Sequence, residues 1–420
     1  MTKKIKVLTL SDHPLSPSGV GTQTKYMCEA LLKSGRYQII SLGGAMKHHN
    51  YDPILVGDYG EDWKIIPIDG YGTQQHIRSI LRTEKPDILW FMTDPRFWEW
   101  LWDIENEIRP LVPMVYYHVW DNYPHPHFNR NSYLSNDYIA TISKVTDDIV
   151  KTVAPEVNST YIPHAVDNNI FKPMPQEAID IIRRDNLPEV DRDKFIVFWN
   201  NRNARRKQSG TLIYWFKAFL DKVGHENAQL IMHTDPKDMH GQDLNHIIEQ
   251  LGLNNRQVLM STNKVNSEDL AGIYNMVDCT VNISDAEGFG LSTLESLACG
   301  TPIIVNMTGG LQEQVTDGTD WFGFPLYPSS KAIIGSQQVP YIYEDRTSQD
   351  QFVSAMFKMY SLSQQDRREM GLRGHKHVMK NYSFEKFQKQ WLDFMDNVHE
   401  SEGSWENRTS HSGIYFAEVA

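Results

Sequence analysis

Ser284-Asp285-Ala286-Glu287-Gly288-Phe289-Gly290-Leu291-Ser292-Thr293-Leu294-Glu295-Ser296-Leu297-Ala298-Cys299-Gly300-Thr301-Pro302 is the stretch of this 420-residue chain on which its fold is most legible. The apolar run just before it, residues 279–283, reads as a buried strand. The glycine-punctuated turn leads into a helical run at residues 291–298, which Gly300 closes. Strand, bend and helix in that order bring the backbone N–H groups of Phe289, Gly290 and Leu291 to a helix N-terminus. Such a terminus is partly positive and suits a diphosphate. Gly288 and Gly290 let a ligand approach the backbone closely. Two carboxylates, Glu287 and Glu295, bracket the turn with seven residues between them. A carboxylate beside a phosphate is unfavourable unless it has a task such as binding sugar hydroxyls. The plainer alternative is that Glu287 caps the turn and Glu295 supports its helix.

The same alternation extends in both directions. Strands are expected at residues 195–199, 229–232, 257–260 and 302–305, with helices at 210–222, 243–251, 268–276 and 311–315. The first half repeats the scheme, with strands at 5–10, 38–42, 87–91, 114–118 and 138–141 and helices at 22–34, 73–83, 96–108 and 144–153. Apolar strands alternating with helices imply a parallel sheet covered on both faces. A segment rich in proline and charge, residues 171–193, separates the two series. The expectation is an α/β protein of two doubly wound, Rossmann-like domains, each binding at the carboxyl ends of its strands, with their parallel sheets facing across a cleft. Residues 325–345 break the pattern and read as a hairpin or loop insertion. Helices at 350–361, 366–380 and 384–398 follow without strands between them, and the tail 400–420, with Ile414-Tyr415-Phe416, either docks or frays.

Composition narrows the classes. Apolar residues make up 40% and charged residues 22%, a globular balance. No run approaches the ~18 apolar residues that a bilayer span needs, so no stable membrane insertion is expected. The opening residues Met1-Thr2-Lys3-Lys4 and the short run after them read as a first strand, not as a leader. Net charge, 41 − 53 = −12, opposes a broad nucleic-acid footprint. Cys28, Cys279 and Cys299 are far apart inside apolar patterns; buried reduced thiols are expected, and with them a cytoplasmic location.

Further candidates lie at strand ends. Asn200-Asn201-Arg202-Asn203-Ala204-Arg205-Arg206-Lys207 follows the strand at 195–199, where cations neutralise phosphate; the alternative is a solvated basic loop. Arg205 and Arg206 read as surface or support residues. Gly19 and Gly21, in Ser16-Pro17-Ser18-Gly19-Val20-Gly21-Thr22, follow the first strand and open a helix, but the full dinucleotide fingerprint is absent, leaving a site loop or a plain tight turn. His118 ends its strand, as a site residue or as a satisfied core histidine. The trio His118, His125 and His127 lacks a carboxylate or Cys to complete a recognised spacing, so no metal site is expected. Trp98 and Trp102 share one helical face, which suits core packing or a subunit contact better than a stacking platform.

These motifs resemble those of family 4 retaining glycosyltransferases of the GT-B fold. Glu287-x7-Glu295 with Gly-Phe-Gly-Leu inside is similar to the family signature, as is Gly309-Gly310-Leu311-Gln312-Glu313 to its Gly-Gly-x-Pro-Glu turn, with Gln312 in place of Pro. Ile162-Pro163-His164-Ala165-Val166-Asp167 resembles the domain junction, with His164 and Ala165 departing from Asn-Gly. The resemblance covers roughly residues 5–395 and implies domains at 1–170, with 384–420 returning to it on the acceptor side, and at 171–383 for the nucleotide sugar. It implies that Glu295 binds the donor ribose and Glu287 the transferred sugar, and that Gly288, Phe289, Gly290 and Leu291 hold sugar and diphosphate. Arg202 and Lys207 match the Arg-x4-Lys pair that binds the diphosphate, although Asn201 and Gln208 stand where glycines are common. Gly19 and Gly21 match the first loop, which in the family faces the acceptor and the donor phosphate and so implies that they bind the donor, and His118 matches a histidine that contacts donor sugar.

The expected activity is metal-independent, retaining transfer of a hexose or related sugar from a UDP- or GDP-sugar to an acceptor hydroxyl. The nucleotide sugar is a co-substrate and no cofactor is expected. The alternatives are another GT-B enzyme, an epimerase or phosphorylase, or a silent nucleotide-sugar-binding module. The acceptor stays open among glycans, lipid-linked sugars, small molecules and hydroxylated nucleobases, and so does homo-oligomerisation.

Overall fold

A computed structural model describes residues 3–409. The Ile414-Tyr415-Phe416 cluster lies outside the described residues.

Eight strands form the first sheet: β1 (Ile5–Asp12), β2 (Tyr37–Gly44), β3 (Ile54–Val56), β4 (Gly60–Pro67), β5 (Ile88–Met92), β6 (Met114–His118), β7 (Tyr138–Thr141) and β8 (Asn158–Tyr161). Their order is β3-β4-β2-β1-β5-β6-β7-β8, parallel throughout except for the antiparallel edge pair β3–β4. The second sheet contains β9 (Phe195–Asn200), β10 (Ala228–His233), β11 (Val258–Ser261), β12 (Cys279–Asn282), β13 (Ile303–Asn306) and β14 (Gly323–Leu326). It runs β11-β10-β9-β12-β13-β14 and is wholly parallel. Both orders reverse beside the first strand of their series, which is the doubly wound Rossmann-like topology. Ligands in such sheets bind where the order switches, at the carboxyl ends of the strands. In the second sheet that point lies between β9 and β12, so it is served by the loops after Asn200 and Asn282.

The central strands are buried on both faces, as continuous apolar runs require. All five residues of β5 and all five of β6 are buried, and Trp199, Phe198, Val197 and Ile196 of β9 have no exposure. The described chain divides into two units. One contains the first sheet, residues up to Trp120, His125–His164 and the chain from Glu385; the other is Asp121–Pro124 with Ala165–Phe384. The helix Phe384–Glu402 belongs to the first unit almost entirely, and Trp391, fully buried, sets its ring edge-on to Trp90 (5.9 Å) and Tyr117 (4.9 Å). Asp396 of the same helix accepts from both Arg36 guanidinium nitrogens (2.9 and 2.7 Å) and from the Tyr37 hydroxyl (2.6 Å).

Residues 325–345, expected as a hairpin or loop, include the end of β14 and then a hairpin, β15 (Ser330–Ile334) antiparallel to β16 (Ile342–Arg346). The helix expected over 96–108 is broken into a 3-10 turn, Pro95–Phe97, and two short helices, Glu99–Trp102 and Glu105–Ile108. Trp98 and Trp102 are buried against Phe91 (5.2 and 6.1 Å between ring centres), while Trp100 is partly exposed. The three cysteines are free and buried. No described helix is long and apolar enough to cross a membrane.

Candidate functional site

The loops after β9 and β12 meet at a buried ion pair. Lys207 ends a 3-10 turn, Arg205–Lys207, and its ammonium closes on the carboxylate of Glu287. Their side chains are 9% and 10% exposed. Asn282, the last residue of β12, donates to the same Glu287 oxygen (3.3 Å), as does the Ser284 hydroxyl (3.4 Å). Arg206 stands at 3.9 Å from the other oxygen and donates to the Ala286 carbonyl (2.5 Å). Burial works to raise the Glu287 carboxyl, but Lys207, Arg206 and the hydrogen bonds outweigh it and hold the group at about 2. Burial and the charge of Arg206 lower the Lys207 ammonium to about 8 against the pull of Glu287. Between those values both partners are charged.

The backbone beyond Glu287 is fixed by close packing. Gly309 has φ +49°, and a side chain there would overlap the Glu287 carbonyl; Gly310 N–H donates to that carbonyl (3.1 Å). Gly290 precedes the helix Leu291–Ala298 with φ +92° and gives it no side-chain cap. A Cβ on Gly290 would sit 2.5 Å from Leu311 Cδ2. The Gln314 amide donates to the carbonyls of Phe289 (2.7 Å) and Gly290 (3.2 Å), while the Thr293 hydroxyl contacts Gly290 O and Gln314 Oε1 (2.8 and 2.7 Å). The bend is thus held from its carbonyl side. The first N–H groups of the helix have no intrahelical acceptor and carry its partial positive charge.

Glu295 lies on that helix, partly buried. It accepts from the Tyr274 hydroxyl (2.8 Å), which accepts from Asn200 at the end of β9 (3.0 Å). Burial lifts its carboxyl to about 7, with the Tyr274 bond pulling the other way. The two glutamates therefore differ in state: Glu287, before the helix, is held ionised by its cations, whereas burial raises Glu295, more than a turn into the helix, to about 7.

Arg202 stands apart from this cluster. Its guanidinium forks onto Asp238 (2.6 and 3.2 Å), meets His240 Nδ1 (2.7 Å) and is 61% exposed. Arg205 forks onto the buried Glu344 (2.8 and 2.5 Å), a support role, whereas Arg206 belongs to the cluster itself. Gln208 adopts φ +56°, the conformation for which glycine is usual, and its amide bonds Asp285 (2.6 Å) and Thr211 (2.7 Å).

In the first unit, Gly19 opens the helix Gly19–Lys33, and Ser18 caps it by accepting from Gly21 N–H (2.9 Å). A Cβ on Gly21 would lie 2.7 Å from the His13 carbonyl, so close helix–loop packing requires glycine there, at an ordinary φ. His118 is fully buried. Its Nε2 meets the Tyr133 hydroxyl (2.7 Å), its Nδ1 has no partner, and burial lowers it to about 3, so the ring is neutral. In this structure its ring is enclosed, packed against Tyr116 and Tyr133 (4.9 Å between ring centres in each case). His125 turns instead to Asp148 (3.2 Å), and among the described residues no group of three His, Cys, Asp or Glu side chains is arranged to hold a metal ion.

Asn282, Ser284, Tyr274 and Gln314 were not legible as site residues in the sequence. Asn282 and Ser284 carry the one available signal, since polar residues at the end of an apolar strand are placed for a ligand edge.

Residues 181–358 match the family model described as glycosyl transferases group 1. Shorter stretches resemble curated relatives: a D-inositol 3-phosphate glycosyltransferase of Corynebacterium jeikeium (strain K411), 29% identical over 160 residues, 37% of each chain; and a mannosylfructose-phosphate synthase of Agrobacterium fabrum, 28% over 163 residues, 37% of this chain and 34% of that one. A D-inositol 3-phosphate glycosyltransferase of Arthrobacter sp. is 38% identical over 76 residues, 18% of each. The matched stretches thus span less than half of these relatives. Among solved structures, sucrose-phosphate synthase from Thermosynechococcus elongatus superposes with a TM-score of 0.74 at 16% identity, covering 94% of this chain and all of that one. Anabaena HepE in complex with UDP and glucose gives 0.67 at 14%, with the same coverage. These likenesses are of fold: the chain has the GT-B architecture, and its stretch 181–358 is similar to group 1 glycosyltransferases.

Proposed function

We propose that the protein is a retaining, metal-independent glycosyltransferase that moves a hexose or related sugar from a UDP- or GDP-sugar to an acceptor hydroxyl. The observation that carries this reading is the buried Lys207–Glu287 pair beside the free N-terminus of the helix Leu291–Ala298, with Glu295 on that helix. A diphosphate seated at the helix entrance meets unsatisfied N–H groups and the Lys207 ammonium. Arg202 joins by exchanging Asp238 for a phosphate oxygen. As the sugar C1–oxygen bond breaks, charge grows on the leaving phosphate, and these fixed donors stabilise it. The acceptor oxygen bonds C1, and its proton passes to the departing phosphate oxygen.

Glu287, ionised and held by Lys207, accepts hydrogen bonds from sugar hydroxyls and is not assigned as proton donor or nucleophile. Glu295 accepts from ribose hydroxyls. The first unit is assigned the acceptor, Gly19 and Gly21 shape its first loop, and His118 is given no contact with substrate. The buried thiols suit a reducing, cytoplasmic compartment.

Acceptor-dependent release of nucleoside diphosphate from a panel of nucleotide sugars tests the reading. Glu287→Gln is expected to cut that release about 10²-fold or more in a variant with wild-type circular dichroism. Near-wild-type turnover refutes the role. Release of diphosphate with no acceptor bond formed, or none from any donor, favours instead the epimerase, phosphorylase or binding-module readings.

A further inference from the structure

Strand β16 bonds, through four consecutive residues, the loops after β9, β12 and β13 and the segment Asp121–Pro124. Tyr343 N–H donates to the Tyr123 carbonyl (2.5 Å), and its own carbonyl accepts from Asn122 (2.7 Å). Glu344, 4% exposed, takes both arms of Arg205 in the loop after β9. Asp345 N–H donates to the Asp285 carbonyl (2.9 Å) in the loop after β12. The Asp345 carbonyl and carboxylate accept from Asn306 (2.8 Å) and Thr308 (2.9 Å), just before Gly309 and Gly310. Arg346 reaches back to Glu344 (3.3 Å) and toward Asp285 (3.7 Å).

Asp285 then completes the link. Its N–H donates to the Arg206 carbonyl (2.8 Å), and its carboxylate accepts from Gln208 (2.6 Å). Lys207 thus sits between residues tied to Glu344 and Asp285, and Glu287 lies two residues beyond Asp285.

We infer that the hairpin strand β16 positions the reaction centre, with Glu344 as the positioning residue that sets Lys207 against Glu287 through Arg205. This deepens the proposed transferase reading and rests on it. Glu344 acts on two quantities in opposite directions. It holds the loop in place, and it cancels the charge of Arg205. Removing its charge frees a cation near the diphosphate site while loosening the geometry, and small misplacements of a reacting group cost up to about 10²-fold in rate.

The test uses the full chain and the donor found active in the panel. In Glu344→Gln, kcat is expected to fall about tenfold, while the Kd for the free nucleoside diphosphate, by calorimetry, stays equal or tightens. Binding stoichiometry normalises for folded protein, so a mere loss of active molecules is corrected. Glu344→Asp, which keeps the charge, recovers part of kcat, and Arg205→Gln combined with Glu344→Gln is no slower than the slower single variant. Wild-type kcat in Glu344→Gln overturns the inference, as does a kcat loss that disappears on normalisation. If Glu344→Gln does not fold, Thr308→Val, which breaks only the Asp345 side-chain bond, must lower kcat without weakening nucleotide binding, or the inference fails. A wild-type protein that turns over no nucleotide sugar removes the transferase reading itself, an outcome distinct from either.

Discussion

At the scale of single residues, burial makes chemical differences between groups that look alike in sequence. Glu287 and Glu295 were legible as a bracketing pair, but nothing in their spacing shows that one is pulled down to about 2 and the other pushed up to about 7. The difference comes from the cations Lys207 and Arg206, which face Glu287 from another loop, while Glu295 is buried with no cation beside it and only the Tyr274 hydroxyl to favour its charge. For Glu295 the folded value exceeds the ordinary 4.5, so its ionised form is worse off in the folded chain. That group's contribution is full below about pH 4.5 and is lost as pH rises toward 7. Glu295→Gln is therefore expected to match wild type in melting temperature near pH 4.5 and to exceed it at pH 8. A variant that tracks wild type at both values contradicts the assignment. Lys207→Ala leaves buried Glu287 with only Arg206, 3.9 Å away, as counter-charge, a loss of up to about 3–5 kcal/mol; an unchanged urea midpoint at pH 7 would show that the pair is not buried in solution. Arg202 and Lys207 illustrate a limit of spacing. The Arg-x4-Lys pattern places both in one loop, yet only Lys207 turns into the cluster, because Asp238 and His240 hold Arg202 outside it.

At the scale of elements, the sequence was clearest where strands are buried on both faces. β6, β7 and the helices Lys144–Val153, Leu291–Ala298 and Leu311–Val315 fall where apolar pattern and glycine or proline punctuation place them. β3 and β8 were missed because they are edge strands: Ile54 and Leu55 are exposed, and Asn158–Tyr161 has no apolar run. β4 is hard to read because Glu61, Asp62 and Lys64 leave it no continuous apolar run. The bend at residues 288–290 was legible from its glycines, but not the amide of Gln314 that pins it. Gly290→Ala puts a Cβ on a left-handed φ and against Leu311, and is expected to destabilise by about 1–3 kcal/mol and to weaken nucleotide binding. Thermal shift with and without nucleoside diphosphate measures both, and an unperturbed variant would mean that the bend relaxes freely.

At the scale of the whole molecule, two doubly wound sheets, each reversing its order beside its first strand, explain why the alternation could be read without knowing any contact. The return of the last helix to the first unit is a different matter, since periodicity shows a helix but not its partner. Trp391 between Trp90 and Tyr117 supplies the reason for that return. Trp391→Ala opens a large cavity there and is expected to cost about 3–5 kcal/mol in urea unfolding; a wild-type midpoint would contradict the packing.

The most direct measurement is a crystal structure of the full chain with an unhydrolysed nucleotide sugar. The diphosphate oxygens are expected within hydrogen-bond distance of the N–H groups of Leu291 and Ser292 and of Lys207 Nζ, with ribose hydroxyls on Glu295. A diphosphate seated elsewhere, with that helix entrance bare and Lys207 still closed on Glu287 alone, would contradict the assignment.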